Sequence, residues 1–126
     1  MTARGFIALG AILGAVGVAA GAFGAHAVAD SVTPERLKVF ETAARYHQIH
    51  AIAIVVVGMI AANWPSSRVR VNLAGYLFLL GIILFSGSLY VLVLTDTGWL
   101  GAVTPLGGLA LISGWLILAW GVLRHQ

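Results

Sequence analysis

What most limits the folds open to this chain is a set of four long apolar runs, covering about residues 5–27, 43–63, 72–95 and 104–123. A helix needs about 20 such residues to cross the hydrocarbon core of a bilayer. Barrel strands would be about ten residues long and would alternate polar with apolar; these runs do neither. Only 9% of the residues are charged and 60% are hydrophobic. A soluble domain carries about 25% charged residues, so this chain has too few charges to cover a water-facing surface. It reads as an all-α integral membrane protein, a single membrane domain over residues 1–126.

The second helix is expected to start before its apolar run. Thr33-Pro34-Glu35 has the order of an N-cap, an N1 proline and an acid in the first turn. From there Lys38/Glu41 and Glu41/Arg45 stand at pairing distance along a helix, which predicts an amphipathic start and a span of 34–63. "NWPSSRVRVN" and "DTGWLGAVTP" are short breaks, so the four helices form an up-down-up-down bundle. Thr95 and Asp96 are expected to end the third helix, and Thr104 and Pro105 to start the fourth as cap and N1. Trp64, Trp99 and Trp120 read as interfacial anchors. Trp115 lies mid-span, where its N–H needs a protein partner.

A cleavable leader is the competing reading of the first run, because Ala25-His26-Ala27 imitates a small-x-small cleavage site. The run from Gly5 to Gly24 is longer than the roughly 7–15 residues of a leader core, and a retained helix is expected. Arg4, Arg68, Arg70 and Arg124 fall on one side of the membrane, and Arg36, Lys38 and Arg45 on the other. The positive-inside rule then favours cytoplasmic termini. Seven scattered basic residues suit lipid headgroups and not a nucleic-acid surface. With no cysteine there is no disulfide or thiolate site.

Small residues carry the packing signal. Gly10, Gly14, Gly17, Gly21 and Gly24 are spaced 4, 3, 4 and 3 along the first helix. Gly107, Ala110, Gly114 and Gly121 repeat the idea on the fourth, and Ala74, Gly81 and Ser88 on the third. In lipid no hydrophobic force joins helices, so association rests on close backbone approach. Static packing is the plain reading of these seams; a sliding interface is the functional one. His26 falls nearly opposite the glycine seam, on a face with Ala8, Ala15, Ala19 and Ala22. Small residues on both faces predict that the first helix is central in the bundle.

The uncommon polar residues gather by depth. At about 1.5 Å per residue, His26, His50, Tyr46, Ser86, Ser88, Tyr90 and Thr104 all fall in one half of the bilayer. They form a candidate polar patch, with His47 as a possible extra member and His26 closing it by bonding to a neighbouring helix. The plain reading of the same contacts is structural glue.

Four stretches in order, "GAFGAHA", "YHQIHA", "LFSGSLYVLVLT" and "TPLGGLALISGW", resemble the uncharacterised bacterial family of small membrane proteins called domain of unknown function number four-two-three, whose animal relative is transmembrane protein two-five-six. The likeness covers about residues 5 to 123. It maps onto Gly21, Phe23, Gly24, His26, Tyr46, His50, Ser86, Gly87, Ser88, Tyr90, Thr104, Pro105, Gly107 and Gly108. His47 stands where the resemblance implies glutamine. The resemblance implies a multi-pass, four-helix protein of the inner membrane, and it brings no reaction or ligand.

Three functions follow as expectations. The first is a non-catalytic accessory or assembly bundle, packing by its small-residue seams into a homo-oligomer or a larger membrane complex. The second is a small oligomeric permease for a neutral solute, since no charge sits in the middle of a span. The third is a metal or haem protein built on His26, His47 and His50. The chain has no HExxH, no CxxCH and no acidic ligand within a span. Ser86-Gly87-Ser88 lies in a helix and is not a nucleophile elbow. The first function is favoured, with no cofactor, metal or catalytic residue.

Overall fold

Two threonine caps open the first two helices. The Thr2 hydroxyl accepts the Gly5 N–H at 3.1 Å and starts α1, Ala3–Val28. The Thr33 hydroxyl accepts the Arg36 N–H at 3.3 Å and starts α2, Pro34–Asn63, with Pro34 in the first turn as the sequence predicts. α3, Pro65–Thr95, and α4, Gly98–Leu123, complete the computed structural model, which describes residues 1–124. Among the described residues these are 4 helices long and apolar enough to cross a membrane. The fold is therefore the all-α, up-down-up-down membrane bundle.

Some boundaries move. After one 3-10 turn, α3 is α-helical from Arg68, a turn before the predicted start at Asn72. Arg70 thus lies on a helix, its guanidinium carbon 4.8 Å from the centroid of the Trp120 ring. α3 stops at Asp96, whose φ of 52° is left-handed. A short polar side chain tolerates that geometry better than a bulky one. The Lys38/Glu41 and Glu41/Arg45 pairs do not close. Among the described residues the ion pair formed is Arg36–Asp96, at 2.9 Å, which joins the start of α2 to the end of α3.

Glycine lets neighbouring backbones touch within two hairpins. A Cβ at Gly10 of α1 would lie 2.7 Å from the Ala51 carbonyl oxygen of α2, and one at Gly58 of α2 equally close to the Ala3 carbonyl. Gly17 and Gly21 rest on Gln48, and Gly24 on the Phe40 ring. In the second hairpin a Cβ at Gly107 of α4 would run into the Phe85 backbone nitrogen of α3. Gly81 meets Leu111, Gly114 meets Phe78, and Gly121 meets Arg70. Gly14 departs from the predicted seam, because nothing lies within 4 Å of where its Cβ would be.

α1 is not the central helix. α2 takes that place, with α1 on one side and α3 on the other, and α4 packs on α3. The main core joins Phe6, Ile54, Val57, Val71, Phe78 and Leu111. Ala8, Ala15, Ala19 and Ala22 are exposed on the outer face of α1. That face has no partner helix within the chain, so small residues on two faces do not make α1 central.

Candidate functional site

The polar residues in the upper half of the bundle, nearer the 29–33 link, form separate bonded pairs instead of one pool. Each pair joins two helices. His47 is 4% exposed, and its Nδ1 shares a 3.0 Å hydrogen bond with the Tyr90 hydroxyl. Side chains lean toward the N-terminus of their helix. Tyr90 on rising α3 therefore reaches down and His47 on descending α2 reaches up, which brings them together. The Nε2 of His47 is buried without a hydrogen-bond partner.

His50 is fully engaged. Its Nδ1 lies 2.7 Å from the Tyr46 carbonyl, to which it donates. Its Nε2 accepts the Trp115 indole N–H at 3.1 Å. This pair of partners holds the ring as the neutral Nδ1–H tautomer, and it is the partner that mid-span Trp115 requires. With both nitrogens committed, His50 has no lone pair to offer a metal or a haem iron. Among the described residues no three His, Cys, Asp or Glu side chains group as metal ligands. The three-histidine reading does not fit this arrangement.

Hydroxyls tie the remaining seams. Ser86 is 1% exposed and donates to the Ala43 carbonyl of α2 at 2.8 Å. Ser88 and Thr104 share a 2.7 Å bond between α3 and α4. Thr104 is thus the first residue of the α-helical part of α4 and not its cap, and its hydroxyl serves the neighbouring helix. Tyr46 is 40% exposed and contributes its carbonyl to His50 and its ring to Phe85, with centroids 4.7 Å apart.

His26 does not join the patch. It is exposed on α1 and makes no hydrogen bond among the described residues. It lies on the alanine face where helical spacing puts it, but that face is the outer one because α1 is peripheral; its segment, Gly24–Val28, is π-helical. A second π-helical segment, Ile82–Gly87, lies in α3. Both rising helices therefore widen in the same half of the bilayer, at "GAHAV" and "IILFSG". π-helical segments are rare and are frequent at functional sites. The clustered glycines at 21 and 24 and at 81 and 87 are their nearest sequence signal.

Gln48 was missed. Its amide donates to the Gly17 carbonyl at 2.8 Å, a polar clasp between α2 and the glycine seam of α1. A neutral amide in the middle of an apolar run was the available clue, hidden between the two more conspicuous histidines.

Comparison with known proteins places the chain among relatives without an assigned activity. The family described as "Protein of unknown function (DUF423)" matches residues 20–108. The chain is 42% identical over 113 residues to the UPF0382 membrane protein SH2409 of Staphylococcus haemolyticus (strain JCSC1435), covering 90% of each. It is 42% identical over 120 residues to the UPF0382 membrane protein YwdK of Bacillus subtilis (strain 168), covering 95% of this chain and 97% of the relative. No solved structure matches.

Proposed function

This chain belongs to the DUF423 family of proteins of unknown function, and from that premise we propose that it is a non-catalytic assembly subunit that docks through α1 against another membrane helix. One observation carries the reading. Ala8, Ala11, Ala15, Val18 and Ala22 are all exposed on the α-helical part of α1 and are spaced 3, 4, 3 and 4. This is a heptad seam of small side chains, separate from the glycine seam already used against α2. In a bilayer such a seam supports helix association by close van der Waals approach. The partner is a second copy of the chain or a larger membrane complex. On this reading the protein sits in the inner membrane with both termini in the cytoplasm, as the Arg4, Arg68, Arg70 and Arg124 side favours, and it performs no chemistry of its own.

The test is subunit counting by single-molecule photobleaching in native membrane nanodiscs, with mass spectrometry of co-purified subunits. Ala15→Trp should remove the second copy or the partner. Ile112→Trp, on the exposed face of α4, should not. A protein that is monomeric and partner-free before any substitution, or one that keeps its partner with Ala15→Trp, defeats the reading.

A further inference from the structure

α1 and α3 touch at one end of the bundle and part at the other. Near the first residues Phe6 meets Tyr76 edge-on, with ring centroids 5.4 Å apart. Toward the opposite surface Phe40 of α2 stands between them, 6.3 Å from the Phe23 ring and 5.1 Å from the Tyr90 ring. Beyond Phe40 the gap stays open as a cavity of about 880 Å³, within the range of small-ligand sites. Its wall includes the π-helical end of α1, the link after it, the start of α2 and the end of α3.

The lining divides by chemistry. Phe23, Val28, Val93 and Leu94 make an apolar side. Phe23 and Leu94 are also 50% and 56% exposed on the outer surface, so this side opens outward from the gap between α1 and α3. Asp30, Arg36 and Asp96 supply the charge. Arg36 gives one N–H to Asp96, and its other donors have no protein acceptor among the described residues. Asp30 has neither ion pair nor hydrogen bond among them. The hydroxyls of Ser31 and Thr95 are already spent on the Ala27 and Val91 carbonyls. The groups left free include one guanidinium edge suited to a phosphate oxygen and the Asp30 carboxylate, suited to an ammonium. The lining as a whole is one charge negative.

We propose that this cavity binds the headgroup of an aminophospholipid, with the phosphodiester on Arg36, the primary amine on Asp30 and the acyl chains along the groove between α1 and α3. The cavity lies at the ends of two apolar spans, Ala3–Val28 and Pro65–Thr95, the level that headgroups would occupy. A purely anionic lipid would satisfy Arg36 and leave Asp30 facing like charge. A soluble zwitterion would leave the apolar side unused.

Native mass spectrometry of the purified full-length chain tests this, with added phosphatidylethanolamine, phosphatidylglycerol or free phosphoethanolamine. Phosphatidylethanolamine should be retained in preference to phosphatidylglycerol. Asp30→Asn and Arg36→Gln should each weaken its retention roughly threefold to fivefold, as expected for half-exposed ionic contacts. Glu41→Gln, an exposed change outside the cavity, should leave retention unchanged. Thermal stability of each variant guards against a folding effect. Equal retention of the two lipids overturns the proposal, as does an unchanged affinity in Asp30→Asn. Displacement of the lipid by millimolar phosphoethanolamine would assign the site to a soluble compound and overturn the lipid assignment.

Discussion

Trp115 of α4 donates its indole N–H to Nε2 of His50 on α2 across 3.1 Å, spanning two helices whose backbones make little contact. The bond reaches past α3, whose Phe78 ring lies 5.6 Å from His50 and 4.9 Å from Trp115 by centroid. A single polar contact thus closes three helices around one aromatic core.

Removing the indole N–H leaves Nε2 of His50 without its donor. Trp115→Phe should cost about 1 kcal/mol, since hydrogen bonds within membrane bundles are worth about 0.6–1.7 kcal/mol. Chemical unfolding in mixed micelles reads this directly. Nitrogen NMR of the imidazole should still report the Nδ1–H tautomer, held by the Tyr46 carbonyl. A switch to Nε2–H would show that Trp115, and not Tyr46, sets the proton.

The glycines are unequal, and alanine substitution should separate them. Gly107→Ala drives a methyl into the Phe85 backbone and should cost about 3 kcal/mol or more, at the upper end of overpacking penalties. Gly14→Ala meets open space and should change stability by about 0.5 kcal/mol or less. Purified yield and thermal midpoint in detergent give the comparison. Matching losses at both positions would mean that Gly14 has a partner outside this chain.

Asp96 carries two effects of opposite origin. Its ion pair with Arg36 is largely exposed, 35% and 85% for the two side chains, and such pairs contribute about 0.2–1 kcal/mol. Its left-handed backbone costs about 1–2 kcal/mol for most side chains. Asp96→Gly should therefore be close to neutral, while Asp96→Val should destabilise by about 1–3 kcal/mol. Thermal midpoints of the two variants settle the order.

Ser88 and Thr104 should be coupled. A double-mutant cycle of Ser88→Ala and Thr104→Val removes the 2.7 Å bond between α3 and α4. An interaction of about 0.5–1.5 kcal/mol is expected. Strictly additive losses would assign the pair to separate local roles, since each hydroxyl also reaches a carbonyl of its own neighbourhood.

What could be read in the sequence follows from the range of the forces involved. Thr33-Pro34 marks a cap through atoms three residues apart, and the structure keeps it. The span count follows from hydrocarbon thickness alone. Depth was legible too: Ser86, Ser88, Tyr90 and Thr104 do bond in one half of the bundle. Direction around the helix was not. His26 turns away because the alanine face it shares is the outer one, and Gly14 because the seam serves a single partner; which face meets a neighbour depends on tertiary contacts. No hydrophobic alternation reveals them, since lipid and helix interior are equally apolar. The bond of Gln48 is to a backbone carbonyl on another helix, which no spacing rule encodes.

The closest glycine contacts between backbones lie inside α1–α2 and α3–α4, whereas α2 meets α3 through rings, Phe40 on Tyr90, Tyr46 on Phe85 and His50 on Phe78, and through the aliphatic core of Ile54, Val57 and Val71. The order of synthesis matches this division. The first hairpin can lock as soon as its two helices have left the ribosome, because its glycine contacts need nothing downstream. The second hairpin locks in the same way, across a connection of only Asp96 and Thr97. The two hairpins then meet across a joint of rings and aliphatic side chains, where Phe6 of α1 is covered by Gly75 and Tyr76 of α3.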